Sequence, residues 1–279
     1  MTEDYQGPQD AVCSSAESKG RFGQRPLGTT SSPQTPRRHP APNRTRFLRR
    51  RKSLRIALIG IFSLAAQASV DAGSIAGEVK LTGGSPKPAH VKITKDQDYC
   101  GQTIPDETYV IGPKGGLKNV VVFIEQPLST SPPSRREHIL DNSGCRFVPR
   151  VMAMIKGEKL IIKNSDPKLH IVHPYLEQRT VFTLTLPFRG QHLEVTQRIK
   201  TPGLLHVRCD SHAWMQGYIH VFDHPFFAVT GEGGDFHIAD VPEGKYTLKA
   251  WHEAAGIQMR DLTVGGIDQV EVRFGFTAR

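Results

Sequence analysis

The sequence lacks several features that would assign it to a common class. No uninterrupted apolar run reaches the 18 or more residues that a transmembrane helix needs, and no stretch shows a long amphipathic helical period. Glycine (26) and proline (20) are too few for a collagen-like or wholly disordered chain. We find no Ser-His-Asp arrangement, no paired acid–base motif and no phosphate-cradling glycine loop. These absences argue against a membrane-spanning protein and against the common hydrolase and nucleotide-binding enzymes.

An excess of charge is also absent from most of the chain. The formal net charge is +9, but residues 1–68 hold 12 Lys/Arg and 4 Asp/Glu, whereas the remaining residues hold 24 and 23. The basic excess therefore belongs to the N-terminal segment, and the rest of the chain is nearly neutral. We accordingly expect no nucleic-acid partner.

The N-terminal segment has the organisation of an export signal. A basic run, Arg49–Lys52, precedes the 13-residue apolar stretch Ile56–Ala68, which ends in the small-x-small pattern Ala-Gln-Ala. This order predicts a secretory signal peptide over residues 46–68, and the alternative is a buried helix. Residues 1–45 are predicted to be a disordered leader, which favours a translation start assigned too far upstream. The mature protein is then periplasmic or secreted, where disulfides are stable.

From Gly73 onwards the pattern predicts an all-β fold. Short β-branched and aromatic runs alternate with clusters of Gly, Pro, Asp and Asn, as expected of β-sandwiches. Strands are predicted at Ile75–Leu81, Val91–Thr94, Asn119–Ile124, Val151–Ile155, Leu160–Lys163, Val181–Leu186, Leu204–Cys209, Tyr218–Phe222, Gly234–Ile238, Tyr246–Trp251 and Gln269–Phe274. The Pro/Ser-rich stretch Pro127–Arg136 is predicted to be a loop or linker.

The C-terminal part carries two spaced motifs. A glycine-rich turn precedes a Phe strand in Val229–Phe236, and a Pro-x-Gly turn precedes a Tyr-x-Leu strand in Val241–Leu248. These motifs resemble the carboxypeptidase regulatory-like domain, a small transthyretin-like β-sandwich. Its opening strands are matched far upstream, at Gly77–Val79 and Asn119–Phe123.

The resemblance therefore implies one sandwich formed by residues 73–134 and 224–279, split by an insertion at 135–223. The alternative is three tandem units. We prefer the split because the C-terminal part alone offers too few strands for a stable sandwich.

Of the four cysteines, Cys209 has the most informative surroundings. On a strand, Leu205, Val207 and Cys209 share one face, so the thiol is carried into the core. A tight loop then returns His212 and Met215 towards the sulfur. Upstream, a β-run ends in Asn-Ser-Asp-Pro, and His170 follows, 39 positions before the cysteine. Thiolate, two imidazoles and a thioether are the ligands of a mononuclear copper electron-transfer site.

At these residues the chain resembles the cupredoxins, the type 1 blue copper proteins, and especially their amicyanin subgroup. The resemblance rests on the Cys-x-x-His-x-x-Met loop, on His-x-x-His beginning at residue 170, and on Phe147-Val-Pro149 with its following glycine turn. It implies a Greek-key sandwich over 135–223, inserted in or adjacent to the transthyretin-like sandwich. It also implies His170, Cys209 and His212 as equatorial copper ligands and Met215 as the axial one.

Three neighbouring residues leave alternatives open. The family usually has Asn after the first ligand histidine, and here that position is Ile171, which predicts an altered potential or looser geometry. His173 would face away from the site on a strand, and a structural role is favoured over ligation. Trp214 lies inside the ligand loop, either packed as an ordinary aromatic or shielding the ion. Zinc, or a vestigial empty site, is the alternative to copper.

Cys13 lies in the leader, which leaves Cys100 and Cys145 as a pair. In an oxidising compartment a disulfide between them is the default, and two separate buried thiols are the alternative. The bond would join the host sandwich to the insertion.

The predicted function is that of an exported, non-enzymatic electron-transfer protein with one type 1 copper ion and a redox partner protein. The alternative is a carbohydrate- or protein-binding sandwich whose metal site is structural or vestigial. Copper storage is disfavoured because the chain has only 5 Met and no Met/His cluster.

Overall fold

The computed structural model describes residues 72–84, 86, 89–125, 135–266 and 268–278. The predicted leader (1–45), the signal peptide (46–68) and most of the linker Pro127–Arg136 lie outside the described residues. In the part of the chain that is described, no helix is long and apolar enough to cross a membrane.

The described chain is built almost entirely from strands, which confirms the all-β fold class. The strands are β1 Ala72–Gly83, β2 His90–Lys92, β3 Thr103–Pro105, β4 Val121–Ile124, β5 Glu137–Asn142, β6 Phe147–Val148, β7 Val151–Ile155, β8 Lys159–Asn164, β9 His170–Leu176, β10 Arg179–Thr180, β11 Leu184–Leu186, β12 His192–Glu194, β13 Gly203–Cys209, β14 Gln216–Phe222, β15 Phe227–Val229, β16 Asp235–Pro242, β17 Gly244–His252, β18 Gly256–Val264 and β19 Gln269–Thr277. One α-helical turn, α1 Gln97–Cys100, and two 3-10 turns, Pro113–Gly115 and Thr196–Arg198, complete the elements.

The first and last parts of the described chain form what we call the terminal sandwich. Its sheets have the strand orders β16-β1-β19 and β15-β4-β17-β18, and β1 pairs in parallel with β19. A shared core fills the space between them, with Val79, Val122, Leu248 and Phe274 among its buried side chains. The glycine-rich turn before β16 brings Gly234 to φ 73° against the backbone of Val79 and Leu117, where a Cβ would clash. That close approach explains the glycine.

The strands between residues 137 and 222 pair only with one another, and we call them the central sandwich. One sheet has the order β10-β9-β13-β14-β7, with β11 also on β9, and the other has the order β12-β8-β5-β6. The buried core between them includes Leu140, Ile162, Leu205 and Val207. The predicted domain boundaries stay predictions.

The two sandwiches pack through a buried junction that includes Val121, Val151 and Trp251. An ion pair reinforces it, because the Arg150 guanidinium donates to both carboxylate oxygens of Glu253 at 2.6 Å. Burial opposes the charge on Arg150, yet the hydrogen bonds that it donates to Glu253 raise its pKa. Bidentate pairs of this kind hold geometry as well as charge.

A separate small unit lies between β1 and β4. The β2–β3 hairpin frames α1, and a disulfide joins Cys100 at the end of α1 to Cys145 between β5 and β6, with a Cα–Cα distance of 5.7 Å. Ile93 packs with both half-cystines in a small cluster of its own. The disulfide thus attaches this unit to the central sandwich.

Each predicted strand segment overlaps a strand of the structure, whereas the longer strands β5, β9 and β18 and the short strands β3, β6, β10, β12 and β15 were missed. β9 contains Pro174, which argues against a strand that pairs on both sides, and in β18 the charged residues Arg260 and Asp261 interrupt the alternation of apolar and polar side chains. Tertiary pairing with β13 and β17 outweighs these local preferences.

Candidate metal centre

Cys209 is the last residue of β13, and its thiol is directed inwards. Leu205, Val207 and Cys209 are all buried, as the period-2 alternation predicts. The loop that follows is closed by backbone bonds: the His212 and Met215 N–H groups donate to the carbonyls of Cys209 and His212, at 3.2 and 2.9 Å. Six residues thus reverse the chain between β13 and β14 and keep His212 close to the sulfur.

His170 reaches the same place from a neighbouring strand. It is the first residue of β9, which runs antiparallel to β13 with Val172 opposite Cys209. This register brings the end of β13 beside the start of β9. His170 and Cys209 are therefore adjacent in space although 39 residues separate them.

The three predicted equatorial residues form a buried triangle of donor atoms. Cys209 Sγ lies 3.7 Å from Nδ1 of His170 and 3.7 Å from Nδ1 of His212, and the two Nδ1 atoms are 3.2 Å apart. Their side chains are 0%, 3% and 0% exposed for His170, Cys209 and His212. Metal bonds of about 2.0–2.1 Å to nitrogen and 2.3 Å to sulfur separate donors by about 3.3–3.8 Å at tetrahedral to trigonal angles. The triangle has the size of a metal-binding set.

The second ring nitrogen, Nε2, of each of the two imidazoles forms a hydrogen bond with a carboxylate. His170 Nε2 lies 3.0 Å from Asp166 Oδ2, and His212 Nε2 lies 3.0 Å from Asp96 Oδ2. Because a carboxylate only accepts, both Nε2 atoms carry the proton and donate it. Both Nδ1 atoms then keep a lone pair, and they face each other. Two lone pairs at 3.2 Å repel each other unless a cation lies beside them, so the donor set fits a positive ion.

Asp166 is fixed from several directions. Its carboxylate accepts bonds from the backbone N–H groups of Gly144 and Cys145, at 2.7 and 2.9 Å, and from the hydroxyl of Tyr99 at 2.9 Å. Burial by itself would raise the pKa of Asp166, but the bonds from His170 and from these backbone groups lower it below the ordinary range. Asp166 is therefore a carboxylate at neutral pH.

The environment of Cys209 favours a thiolate. Burial would raise the pKa of the thiol, but contacts with His170, His212 and Ser211 lower it to about 5. Burial would lower the pKa of His170, yet its bonds to Asp166 and to the Cys209 sulfur raise it to about 8. Because metal ligands must be deprotonated, a metal ion bound by these atoms would release a proton held by Cys209 or His170.

The Ser211 side chain makes hydrogen bonds between the segments that carry His170 and Cys209, although Ile171 stands where the family pattern has Asn. The Ser211 hydroxyl donates to the Leu169 carbonyl at 2.9 Å and lies 3.2 Å from Cys209 Sγ. The backbone N–H of Ile171 points at the same sulfur, at 3.4 Å. The two segments are therefore joined by hydrogen bonds, and the altered potential or looser geometry expected from Ile171 stays a prediction.

The remaining predicted residues are placed as follows. Met215 is 2% exposed at the end of the ligand loop, within the core of the central sandwich, and its axial role stays a prediction. Trp214 packs against His212 with ring centroids 5.0 Å apart and donates Nε1–H to the Cys145 carbonyl. His173 lies outside the triangle and bonds with Asp210, Thr180 and Tyr175.

Sequence reasoning missed Asp96 and Asp166. Asp166 stands in the Asn-Ser-Asp-Pro segment, and its position four residues before His170 is a signal that could have identified it. Asp96 carries no local signal, since 116 residues separate it from His212.

No protein-family model matches the chain, and no curated protein matches it. Among solved structures it matches a copper-containing nitrite reductase from Thermus scotoductus SA-01, with 19% identity and a TM-score of 0.28, over 36% of this chain and 26% of that one. A reduced phenylalanine mutant of amicyanin matches with 15% identity and a TM-score of 0.28, over 37% and 98%.

A purple cupredoxin from Nitrosopumilus maritimus matches with 16% identity and a TM-score of 0.26, over 30% of this chain and 99% of that one. This chain spans about a quarter of the nitrite reductase and nearly all of the other two proteins.

Proposed function

We propose that this chain binds one copper ion through His170, Cys209 and His212, with Met215 as a weak fourth ligand, and that it transfers electrons. The observation that carries the proposal is the buried triangle of two Nδ1 atoms and one sulfur, in which both Nε2 atoms are committed to carboxylates. The metal-binding nitrogens are thereby selected before any ion arrives.

The donor types favour copper over other metals. Two imidazoles and one thiolate, with a thioether nearby in the loop, match the ligands of blue copper centres rather than the four strong ligands of a structural zinc site. Bound there, copper supplies one-electron exchange between Cu(II) and Cu(I). The protein holds the ligands in one arrangement for both oxidation states.

Burial supports electron transfer rather than catalysis. His170 and His212 are fully buried and Cys209 is nearly so, so a substrate cannot reach the donor atoms without displacing packed side chains. Electrons, unlike substrates, can cross a layer of packed protein. We therefore propose a non-enzymatic carrier that meets a redox partner protein at its surface.

The export signal adds a compartment to the proposal. The Arg-rich run, apolar stretch and Ala-Gln-Ala pattern over 46–68 favour a periplasmic or secreted protein. The Cys100–Cys145 disulfide agrees with an oxidising environment.

The visible spectrum of the copper-loaded protein tests the proposal. We expect the full chain, given Cu(II) under non-reducing conditions, to show an intense thiolate-to-copper band. Cys209→Ser should abolish the band, and His170→Ala and His212→Ala should weaken copper binding or bleach the colour. His173→Ala is the matched control, because this imidazole lies three residues from His170 but outside the triangle, and it should keep the colour.

The proposed copper site is falsified if wild-type protein binds Cu(II) without the thiolate-to-copper band. Loss of colour in His173→Ala together with its retention in His170→Ala would show that the ligand assignment is wrong. Tight binding of zinc in preference to copper would favour a structural metal site.

A further inference from the structure

We propose that Asp96 is a positioning residue for the metal centre: through His212 it selects the ligating nitrogen and, together with Asp166, lowers the reduction potential of the bound ion. This inference rests on the proposed copper function. It concerns a residue outside the ligand loop and outside the central sandwich, which none of the sequence motifs indicates.

Asp96 reaches the site from the small unit around α1. It immediately precedes α1, with φ 53°, and its carbonyl accepts the N–H groups of Tyr99 and Cys100 at 3.0 and 2.8 Å. Its side chain then points at the central sandwich, where Oδ2 lies 3.0 Å from His212 Nε2. The contact covers the outer edge of an imidazole that is 0% exposed.

One disulfide anchors both carboxylates. Cys100, at the end of the turn that Asp96 begins, is bonded to Cys145, and the Cys145 N–H donates to Asp166. The Tyr99 hydroxyl, from the same turn, also donates to Asp166. The α1 turn and the Cys145 turn are therefore locked together, and each contributes to holding a carboxylate on one ligand histidine.

The negative charges of Asp96 and Asp166 should lower the reduction potential of an ion bound in the triangle. A metal ion in the triangle would have a thiolate as ligand and a carboxylate behind each imidazole. Such carboxylates make the ligating nitrogens stronger donors, and negative charge in a buried site stabilises Cu(II) more than Cu(I) because the interaction is weakly screened. Lys168 approaches the far oxygen of Asp96 at 3.6 Å but lies nearer to Asp98, at 2.6 Å, so it offsets only part of this charge.

Asp98 offers a matched control. It lies in α1 two residues from Asp96, carries the same charge, and bonds with Lys168 rather than with a ligand. Its side chain is 74% exposed, whereas that of Asp96 is 26% exposed. Asp96→Asn and Asp98→Asn therefore make the same change of charge in the same turn, and only the first alters the bond to His212.

The experiment measures the reduction potential of the full-length, copper-loaded proteins by redox titration of the blue band. We expect Asp96→Asn to keep the colour and to shift the Cu(II)/Cu(I) affinity ratio at least tenfold towards Cu(I), which is about 59 mV for one electron. Asp98→Asn should shift the ratio less than twofold.

A second measurement detects the hydrogen bond between His212 Nε2 and Asp96 directly. In the Cu(I)-loaded protein, we expect nitrogen NMR to show a slowly exchanging Nε2 proton on His212 that is lost in Asp96→Ala and kept in Asp98→Ala. Equal potentials for the two Asn variants, or an unchanged His212 proton in Asp96→Ala, would overturn the role of Asp96 while the copper site stands. Absence of the thiolate band in wild-type protein would instead overturn the proposed function.

Discussion

The indole of Trp214 donates Nε1–H to the carbonyl of Cys145 at 3.1 Å. Trp214 lies between the ligand-loop residues His212 and Met215, and Cys145 is one half of the disulfide. The bond therefore couples the ligand loop to the cross-linked α1 unit. The small cluster of Ile93, Cys100 and Cys145, with Trp214 packed against it, supports the coupling with apolar contact.

The disulfide should stabilise the fold as well as the site. For a sequence separation of 45 residues, removing it should lower the free energy of unfolding by about 4 kcal/mol, chiefly because the unfolded chain gains freedom. Urea titration of Cys100→Ala/Cys145→Ala beside wild type measures the loss. Non-reducing peptide mapping should show the linked pair and an unlinked Cys209. A disulfide involving Cys209 in copper-loaded protein would contradict the ligand assignment, because a bonded sulfur cannot act as a thiolate.

Met215 should affect the reduction potential of bound copper but should not be needed for its colour. We expect Met215→Leu to keep the thiolate-to-copper band and to raise the reduction potential, since the axial thioether bond is long and weak and its loss favours Cu(I). The change conserves volume at a buried position, so it should cost less than about 1.5 kcal/mol of stability. An unchanged potential would remove Met215 from the ligand set. Spectroelectrochemistry of the variant beside wild type provides the measurement.

Stability should fall in mild acid because of a buried histidine at the junction of the sandwiches. Burial lowers the pKa of His220 from 6.5 to about 4, and its Nε2 has no hydrogen-bond partner among the described residues. Between pH 6.5 and about 4 the unfolded chain takes up a proton that the folded chain refuses, so folding loses up to about 3 kcal/mol as the pH falls.

His220→Phe should make this part of the pH profile less steep, since Phe123 and Trp251 already flank the ring. A slope due to His252 should remain, because burial also lowers the pKa of that imidazole to about 4. His237→Gln, a substitution at an exposed imidazole, is the mutational control. Equal slopes for wild type and His220→Phe between pH 6.5 and 4, in urea melts, would exclude this explanation.

Export should leave a mature chain that begins near Ser69 or Gly73. The Ala-Gln-Ala pattern after the apolar stretch favours cleavage before Ser69, and Val70-Asp71-Ala72 is a second small-x-small site, before Gly73. N-terminal sequencing of the protein recovered from the periplasm or medium checks this. A mature terminus at Met1 would contradict the signal peptide.

Local sequence was sufficient to predict features that depend only on residues close together in the chain. The alternation of Leu205, Val207 and Cys209, with the short loop to His212 and Met215, encodes a strand end and a tight return, because side-chain direction on a strand follows a period of two. The missed strand β9 shows the limit: Pro174 interrupts the local strand pattern, and pairing with β13, β10 and β11 makes this segment a strand.

The sequence by itself predicted the all-β character and favoured a disulfide between the two remaining cysteines, and the structure has both; the set of ligand types stays a prediction. Tertiary structure alone decided that Asp96 reaches His212 across 116 residues, that Ser211 joins the segments that carry His170 and Cys209, and that β1 pairs in parallel with β19. The physical reason is that hydrogen bonds and strand pairs act over a few ångströms, whichever residues folding brings within that range. A sequence pattern records spacing along the chain, and spacing predicts proximity only within one strand, turn or loop.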